Sequence, residues 1–503
     1  MNKRFRKGCA DGCTGITRRT FLADVGMGFT GLALSAILFR DGIARAADPQ
    51  TLWTPPDGKP QFPPKAKSVI WLFMMGGVSH LEGFDPKETI NKYAGLTLPQ
   101  TPYADALKSK YFQNGIPNFN VGSSFPILGL QAGYQKDKKC GIAVSDWWPH
   151  TRECMEDIAV VRSLYTEDNA HTAQFEFHAG KKLATGACPT IGSWIHYGLG
   201  TLNENLPQFV VLGRGMVSIA PNDIAHGADY LGPEHAGITL DTGGPPLAHV
   251  HPEFPLTAEE QRAQFDLIRD LDQSREIEYP HDEILRARIK SYELAYKMQA
   301  SVPEAMNFAQ ESNETRALYG LDNPATKVMA ERCLAARRLV ERGVRFVQIY
   351  HGGGNVACGD WDSHTDLLGN HTKLCGAVDQ PIAGLLKDLK QRGMLNDTLV
   401  VWASEFGRSA GSEPKKNNEP YKPGRQHSPF GFSCWMAGGG IKGGVVHGAT
   451  DEIGFHAAVD RHYVTDIHAT IFHQLGLDPR KLEIPGHRRL DIEVGHPIKE
   501  IIA

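Results

Sequence analysis

Acidic and imidazole side chains follow several apolar runs of the sequence. Oxygen and imidazole groups that converge from separate loops suit a divalent metal: zinc, manganese, magnesium or calcium. The residues that we expect to ligate the metal are Asp360, Asp362, His364, Glu405, His427 and Glu82. Asp360 and His364 are four residues apart, and Asp362 and His364 are two apart, so either pair can reach one ion. The pattern predicts a metal site.

Two arginines accompany this set and suggest an anionic substrate. Arg408 follows Glu405 in VVWASEFGRSA (400–410), and Arg425 precedes His427 in GRQHSP (424–429). An anionic ester needs cationic groups that hold the charge developing during its transfer. We therefore expect Arg408 to act in catalysis. The residues that we expect to bind the substrate are Asn169, Arg425 and His80.

The apolar runs that precede these residues predict buried strands. The predicted strands are 68–75, 157–164, 207–213, 344–350, 397–407 and 431–440. Amphipathic segments alternate with them and predict helices at 170–183, 258–273, 281–300, 327–343, 374–393 and 464–477. Asn169 can cap the first of these helices. The alternation indicates an α/β fold with a mainly parallel sheet and helices on both faces, and ligands of such sheets bind beyond the carboxyl ends of the strands.

Composition limits the partners and the organisation of the chain. The 503 residues carry a net charge of −4, which gives no reason to expect nucleic acid as a partner. We predict an export signal at 1–46, a proline-rich linker at 47–67 and one domain at 68–503 with a loop and helical insertion at about 218–320. Seven cysteines follow the signal, an odd number whose pairing cannot be deduced from spacing.

The N-terminal segment carries an export pattern. Arg18 and Arg19 precede Phe21, and an apolar, glycine-rich stretch follows from 25 to 39 and ends in ARAA (44–47). The pattern resembles a twin-arginine signal, so we expect the translocation machinery as a partner and a periplasmic or extracellular location. The apolar stretch is short for a membrane span, and we expect no stable transmembrane anchor.

A set of motifs, in this order, resembles an uncharacterised, exported, sulfatase-like family of the alkaline phosphatase superfamily. The motifs are WLFMMGGVSHLEGFDPK, PTIGSWIHYGLG, WDSH, DLKQRGMLNDTLVVWASEFGRS, GRQHSPFGFSCWMAGGGIKGG and DIHATIFHQLGLD. The resemblance covers about residues 66–480. It implies the superfamily's central, mainly parallel sheet and a metal-centred site at the strand ends that hydrolyses phosphate or sulfate esters.

The resemblance also implies roles for single residues. Asp360 and His364 resemble a metal-ligating Asp-x-x-x-His pair of the phosphatases, and His427 resembles their last metal-binding histidine. HTAQFEFHAGK (171–181) resembles the segment that follows the sulfatase nucleophile, which makes Thr172 the candidate hydroxyl, with Thr166 behind it and His171 beside it as a catalytic group.

The sequence departs from the superfamily at three points. Phe406 stands where the sulfatases place an imidazole after their acidic ligand, and Gly76–Gly77 ends the first strand where most members place an aspartate. No cysteine lies in Cys-x-Pro-Ser-Arg, which argues against a formylglycine sulfatase. Two alternatives therefore stand beside the hydrolase: a non-catalytic protein that binds anionic glycans, and a structural protein of the cell envelope.

Overall fold

A computed structural model describes part of the chain. The described residues are 56–108, 125–215, 224–247, 256–278, 294–299, 301–354, 358–412, 422–482, 484 and 495–503. The predicted export signal (1–46) and residues 47–55 of the predicted linker lie outside them. Residues 56–503 form one unit. Within the described ranges, no helix combines the length and the apolar character needed to cross a bilayer.

The central sheet is built on the first apolar run. All seven residues of strand β1 (Ser68–Met74) are buried, which explains why the run contains no alternating polar positions. β1 lies between β7 (Phe346–His351) and β8 (Thr398–Ala403) and is parallel to both. The sheet order is β12-β4-β11-β8-β1-β7-β5-β6, with β15 also paired to β4. The other strands of this sheet are β4 (Ile158–Tyr165), β5 (Phe209–Leu212), β6 (Ile238–Leu240), β11 (Phe432–Ala437), β12 (Val445–His447) and β15 (His462–Tyr463).

One internal strand runs against the others. β11 is antiparallel to both β4 and β8, whereas the remaining pairs of this sheet are parallel. The segment before β11 therefore lies at the same edge as the segments that follow β4 and β8. The predicted mainly parallel α/β sheet is confirmed. Short ribbons outside it are β2 (Tyr134–Lys136) with β3 (Ala143–Ser145), β9 (Gly407–Arg408) with β10 (His427–Ser428), and β13 (Ala449–Thr450) with β14 (Ala457–Val459).

Helices cover both faces of the sheet. α-Helices lie at Thr89–Lys92 (α1), Pro149–Arg152 (α2), Ala173–Ala179 (α3), Ile191–Leu199 (α4), Ala258–Glu278 (α5), Asn313–Tyr319 (α6), Lys327–Glu341 (α7), Leu367–Gln391 (α8) and Val464–Gln474 (α9). Alternate residues of β1 enter separate cores: Leu72 packs in the core that α7 and α8 cover, and Trp71 packs in the core that α4 and α9 cover. Two buried faces give the sheet the uninterrupted apolar strands seen in the sequence.

The helix predicted at 170–183 is shorter than expected. It spans Ala173–Ala179 and ends at Gly180, whose φ of 73° closes it in the left-handed conformation. Thr172 rather than Asn169 precedes its first residue, and no side chain caps it. The capping role predicted for Asn169 is therefore wrong, because the polar loop after β4 continues three residues further along the chain.

Candidate metal centre

One edge of the sheet gathers the predicted chemistry. Asp362 and His364 follow β7, Glu405 follows β8 and His171 follows β4. His427 precedes β11, and because that strand is antiparallel, His427 arrives at the same edge. The loops that carry these residues therefore lie at the same edge of the sheet, as the sequence indicates.

Asp362 is the group that joins the others. Its Oδ1 lies 3.1 Å from His364 Nε2, 3.2 Å from His427 Nε2 and 2.7 Å from Arg408 Nη2. Its Oδ2 lies 3.3 Å from His171 Nε2. Burial alone would raise the pKa of Asp362, but hydrogen bonds from His171 and His364, the contact with His427 and the charge of Arg408 hold that pKa well below its usual range. Asp362 is thus a carboxylate with both oxygens facing cationic or metal-binding partners.

The Oδ1 side has the donor set of a metal site. His364 Nε2 and His427 Nε2 are 3.1 Å apart, so with Asp362 Oδ1 they form a triangle with sides of 3.1–3.2 Å. Ligand atoms about 2.0–2.1 Å from a tetrahedral zinc ion are separated by about 3.3–3.4 Å. The triangle therefore matches one face of such a tetrahedron, and the three residues fit a divalent cation.

The backbone prepares His427 for this role. Its Nδ1 donates a hydrogen bond to the carbonyl of Asn169 at 2.5 Å, which leaves the Nε2 lone pair of the neutral ring facing Asp362 and His364. Burial, reinforced by the charge of Arg408, lowers the pKa of His427 to about 3. A neutral imidazole is the form that ligates metals. Asn169 therefore orients His427 through its backbone carbonyl, and the predicted binding of substrate by Asn169 stays a prediction.

The Oδ2 side forms a second group. His171, Cys358 and Asp362 each offer one donor atom, and these atoms lie within 4.8 Å of one another. His171 Nδ1 contacts Glu405 Oε1 at 3.1 Å. Burial lowers the pKa of His171, but its hydrogen bonds to Asp362 and Glu405 outweigh burial and raise that pKa to about 9. The Asp362 carboxylate thus lies between the donor triangle at its Oδ1 and the positively charged ring of His171 at its Oδ2.

Glu405 supports His171 rather than joining a three-residue donor group among the described residues. The carboxylate is fully buried, and its Oε1 also accepts a hydrogen bond of 2.8 Å from the amide of Gly76. Glu405 thus ties the end of β1 to the end of β8 and fixes the imidazole beside Asp362. Glu405 was predicted as a metal ligand; its contacts with His171 and Gly76 show an orienting role, and metal ligation by Glu405 stays a prediction.

Phe406 fills the space beside these imidazoles. The ring is fully buried and stacks on His427, with centroids 4.2 Å apart and planes 30° from parallel. Gly77 has a φ of 88°, and a Cβ there would lie 2.5 Å from the Phe406 ring. The absence of side chains at the end of β1 therefore admits the phenylalanine, whose packing holds the ring of His427 in place.

The side chain of Arg408 binds backbone carbonyls of the loops around the centre. The guanidinium is fully buried, and it donates to the carbonyls of Gly77 at 2.8 Å, Arg425 at 3.1 Å and Gly76, besides its contact with Asp362. A group with these partners has no face turned to solvent. The expectation that Arg408 acts directly on the substrate is corrected: it is a positioning residue that holds Asp362.

Arg425 and Glu82 form a buried ion pair, and neither residue belongs to the two donor groups found among the described residues. Both side chains are fully buried, and Nη2 of Arg425 lies 2.6 Å from Oε1 of Glu82. Nη1 of Arg425 also donates to the carbonyl of Ala410 at 3.0 Å. The predicted roles of Arg425 in substrate binding and of Glu82 in metal ligation are corrected, because each group neutralises the other.

Asp360 and His80 lie outside the two donor groups found among the described residues. Oδ2 of Asp360 accepts a hydrogen bond of 3.1 Å from the amide of Gly354, so the carboxylate closes its own loop. His80 is buried with Nε2 2.9 Å from the carbonyl of Gly454, and burial lowers its pKa to about 4. Of the two aspartates that precede His364, the structure pairs it with Asp362.

The sequence matches one family model. A family model described as "Protein of unknown function (DUF1501)" matches residues 66–502. The chain belongs to the DUF1501 family. The matched range includes the whole of the central sheet and the centre of this DUF1501 protein. No curated protein matches the sequence.

Solved structures resemble this DUF1501 chain only distantly. An alkaline phosphatase from the Antarctic bacterium TAB5 is 12% identical, with 82% of this chain and 99% of that chain covered at a TM-score of 0.33. The PsFucS1 sulfatase from Pseudoalteromonas sp. is 13% identical, covering 68% and 64% at 0.33. A phosphonate monoester hydrolase from Silicibacter pomeroyi is 12% identical, covering 70% and 71% at 0.33.

A hydroxyl and a carboxylate lie in the same loop of the DUF1501 chain as His171. Thr172 Oγ1 donates a hydrogen bond of 2.5 Å to Oδ2 of Asp168. A hydroxyl nucleophile needs an adjacent base, and this contact supplies one. Asp168 and Cys358 were not among the residues predicted for the site. The four-residue spacing of Asp168 and Thr172 was a visible signal for the first, whereas nothing in the sequence placed Cys358 near His171.

Replacing Glu405 with glutamine is expected to lower the affinity of the centre for Zn²⁺ by about 10–100-fold. The amide keeps an acceptor for Gly76 but removes the charge that fixes His171. Calorimetric titration of metal-free protein with Zn²⁺ measures the effect. Glu153→Gln, which removes an exposed carboxylate paired with Lys387, serves as the matched control. Equal affinities for the two variants would contradict an orienting role for Glu405.

Proposed function

We propose that this DUF1501 protein is a divalent-metal-dependent hydrolase of phosphate or sulfate esters. The observation that carries the proposal is the triangle of His364 Nε2, His427 Nε2 and Asp362 Oδ1, with sides of 3.1–3.2 Å. Its location beyond the strand ends of an α/β sheet is where ligands of such folds bind. The resemblance of the motifs to the alkaline phosphatase superfamily supports the choice of esters.

We assign the nucleophile, the base and the positioning residues of this reaction to side chains in the segments at the same edge of the sheet. A divalent ion held by Asp362, His364 and His427 would stabilise negative charge on the ester oxygens. Thr172 Oγ1 forms a bond to phosphorus or sulfur as its proton passes to Asp168; the bond to the ester oxygen breaks, and the alcohol leaves with a proton from Asp168 or from water. Water then forms a bond to phosphorus or sulfur, the bond to Thr172 Oγ1 breaks, and a proton of that water returns to Oγ1. Glu405 and Arg408 hold His171 and Asp362 in position.

We further propose that the protein works outside the cytoplasm after export by the twin-arginine route. The support is the pattern around Arg18 and Arg19 and the ARAA stretch (44–47). An exported enzyme of this kind would act on ester groups of small molecules or polymers near the cell surface. Replacing both arginines with lysine should leave the protein in the cytoplasmic fraction, and an unchanged distribution would contradict the proposal.

Metal-dependent turnover is the decisive test. Protein stripped with a chelator is supplied with Zn²⁺, Mn²⁺, Mg²⁺ or Ca²⁺ and assayed with nitrophenyl phosphate, nitrophenyl sulfate and a phosphodiester. We expect hydrolysis of at least one ester with at least one ion, lost again on chelation. Absence of bound metal together with no turnover under any combination would end the proposal.

Thr172→Ala is expected to lower kcat by on the order of a thousand-fold or more, because covalent catalysis cannot proceed without the hydroxyl. Thr172→Ser keeps the hydroxyl and should retain a measurable part of the activity. Thr185→Ala is the matched control, since it removes a threonine hydroxyl from an exposed short helix of the same region. Retained activity in Thr172→Ala, with an unchanged circular dichroism spectrum, would exclude Thr172 as the nucleophile.

A second candidate is a protein that binds anionic glycans without cleaving them. The observation that favours it is the packing of Phe406 on His427, because Phe406 occupies the position at which the sulfatases place a metal-binding imidazole. Binding of sulfated oligosaccharides at equilibrium, with no product after prolonged incubation in any metal, would favour this candidate. A turnover that Thr172→Ala abolishes would eliminate it.

A further inference from the structure

A second pair of facing histidines lies on the outer edge of the sheet. His447 ends β12 and is in register with Val161 of β4, and His462 begins β15 in register with Leu164 of the same strand. Their Nε2 atoms are 2.8 Å apart, and the rings lie 5.0 Å from centroid to centroid. At most one of two nitrogens at this distance carries a hydrogen. The pair therefore presents either an N–H···N hydrogen bond or two ligand atoms directed at one point.

A carboxylate fixes the orientation of one ring. His462 Nδ1 lies 2.8 Å from Oδ2 of Asp466, in the first turn of α9. The other oxygen, Oδ1, accepts a hydrogen bond of 2.8 Å from the amide of His496. Because a carboxylate accepts, the neutral ring of His462 carries its hydrogen on Nδ1 and turns the Nε2 lone pair towards His447. A carboxylate behind a histidine is the arrangement that orients metal-ligating imidazoles.

A second acidic residue, in the C-terminal segment, lies near His447. Glu500 Oε2 lies 3.9 Å from His447 Nε2. The Glu500 side chain is 61% exposed, whereas the two imidazoles are 10% and 15% exposed, so the carboxylate can move towards a preformed pair. Two imidazoles and one carboxylate, with water completing the shell, are a donor set that zinc and related transition metals accept.

We propose that His447, His462 and Glu500 form a binding site for one divalent transition-metal ion of the zinc class. Bonds of about 2.0–2.1 Å from a tetrahedral ion would separate the two nitrogens by about 0.5 Å more than the present distance, a movement within reach of side-chain rotation. The ion would join β12, β15 and the C-terminal segment to one another. The site shares no residue with the centre around Asp362 and is independent of the proposed hydrolysis.

The test removes the centre around Asp362 first. In an Asp362→Ala/His427→Ala background of the full mature chain, Zn²⁺ titration followed by equilibrium dialysis should show one bound ion per chain. Adding His462→Gln should weaken its binding at least 100-fold. Adding Glu500→Gln, an exposed change that leaves the fold intact, should weaken it about tenfold. His150→Gln, on an exposed histidine, is the matched control and should leave binding unchanged.

Spectroscopy with Co²⁺ distinguishes ligation from nonspecific binding. The background protein should develop the visible absorption of a tetrahedral Co²⁺ centre, and His462→Gln should lose it. Melting temperature gives a second readout, because an ion bound only to the folded state raises it. Zn²⁺ should raise that temperature in the background protein and in His150→Gln but not in His462→Gln. Equal binding and equal melting temperatures in all the variants would overturn the proposal and leave an N–H···N hydrogen bond.

Discussion

Replacing Asp362 with asparagine is expected to lower kcat/KM for ester hydrolysis by on the order of a thousand-fold, the size of several kcal/mol of lost charge stabilisation. Asparagine keeps the shape of the side chain but removes the charge that both oxygens present to the histidines. Bound metal, measured by elemental analysis, should fall together with the activity. The expected effect is large because Asp362 contacts both the two other residues of the donor triangle and His171.

The control for this change is Asp360→Asn, two residues earlier in the same loop. The Asp360 carboxylate accepts from the amide of Gly354 and belongs to neither donor group. We expect it to retain bound metal and most of the activity. The assignment would be wrong if Asp360→Asn lost metal and activity while Asp362→Asn kept both. Circular dichroism of each variant separates loss of the fold from loss of the site, since Asp362 also contacts the buried Arg408.

Replacing Arg425 with methionine is expected to destabilise the protein by about 3–5 kcal/mol, as measured by denaturant unfolding. The substitution leaves the fully buried Glu82 carboxylate without its 2.6 Å partner. It also removes the hydrogen bond that Nη1 of Arg425 donates to the carbonyl of Ala410 in the unsubstituted protein. The expected loss is large because both charges are removed from water and neither can be rehydrated in place.

The double variant Glu82→Gln/Arg425→Met tests the cause of that loss. Removing the stranded charge should recover part of the stability, so the double variant should be more stable than Arg425→Met alone. Lys422→Met is the surface control: it breaks an exposed pair with Asp366 and should cost less than about 1 kcal/mol. Equal losses for Arg425→Met and Lys422→Met would show that the buried pair is not a determinant of stability.

The sequence was sufficient to predict the sheet because its strands are buried on both faces. The run at 68–75 has no polar alternation, and the structure places β1 at the centre of the sheet with every side chain enclosed. The amphipathic patterns that predicted helices at 327–343 and 374–393 were equally informative, since Cys333 and Val378 of these helices both lie in the core. Burial and periodicity are local properties of the chain, which is why the sequence contains them.

The pairing of charges could not be predicted in the same way. Glu82 and Arg425 are 343 residues apart, and only the packed fold brings them together. Asp360 and Asp362 have equal access to His364 in the sequence, and the turn that favours Asp362 depends on contacts with β1 and its glycines. The reversed direction of β11 likewise follows from tertiary packing, although it decides on which edge His427 lies.

The central position of β1 has a consequence for how the chain is made. Val69 of β1 pairs with Phe346 of β7, and Ser68 of β1 pairs with Thr398 of β8. β1 is therefore synthesised long before either of the strands that it pairs with. At about 5–20 residues per second, synthesis of the intervening chain takes on the order of tens of seconds. During that time β1, which is apolar from Val69 to Met74, has no neighbouring strand to pair with. Contacts so distant in sequence also slow folding, and we expect the nascent chain to depend on chaperones until β8 has been completed.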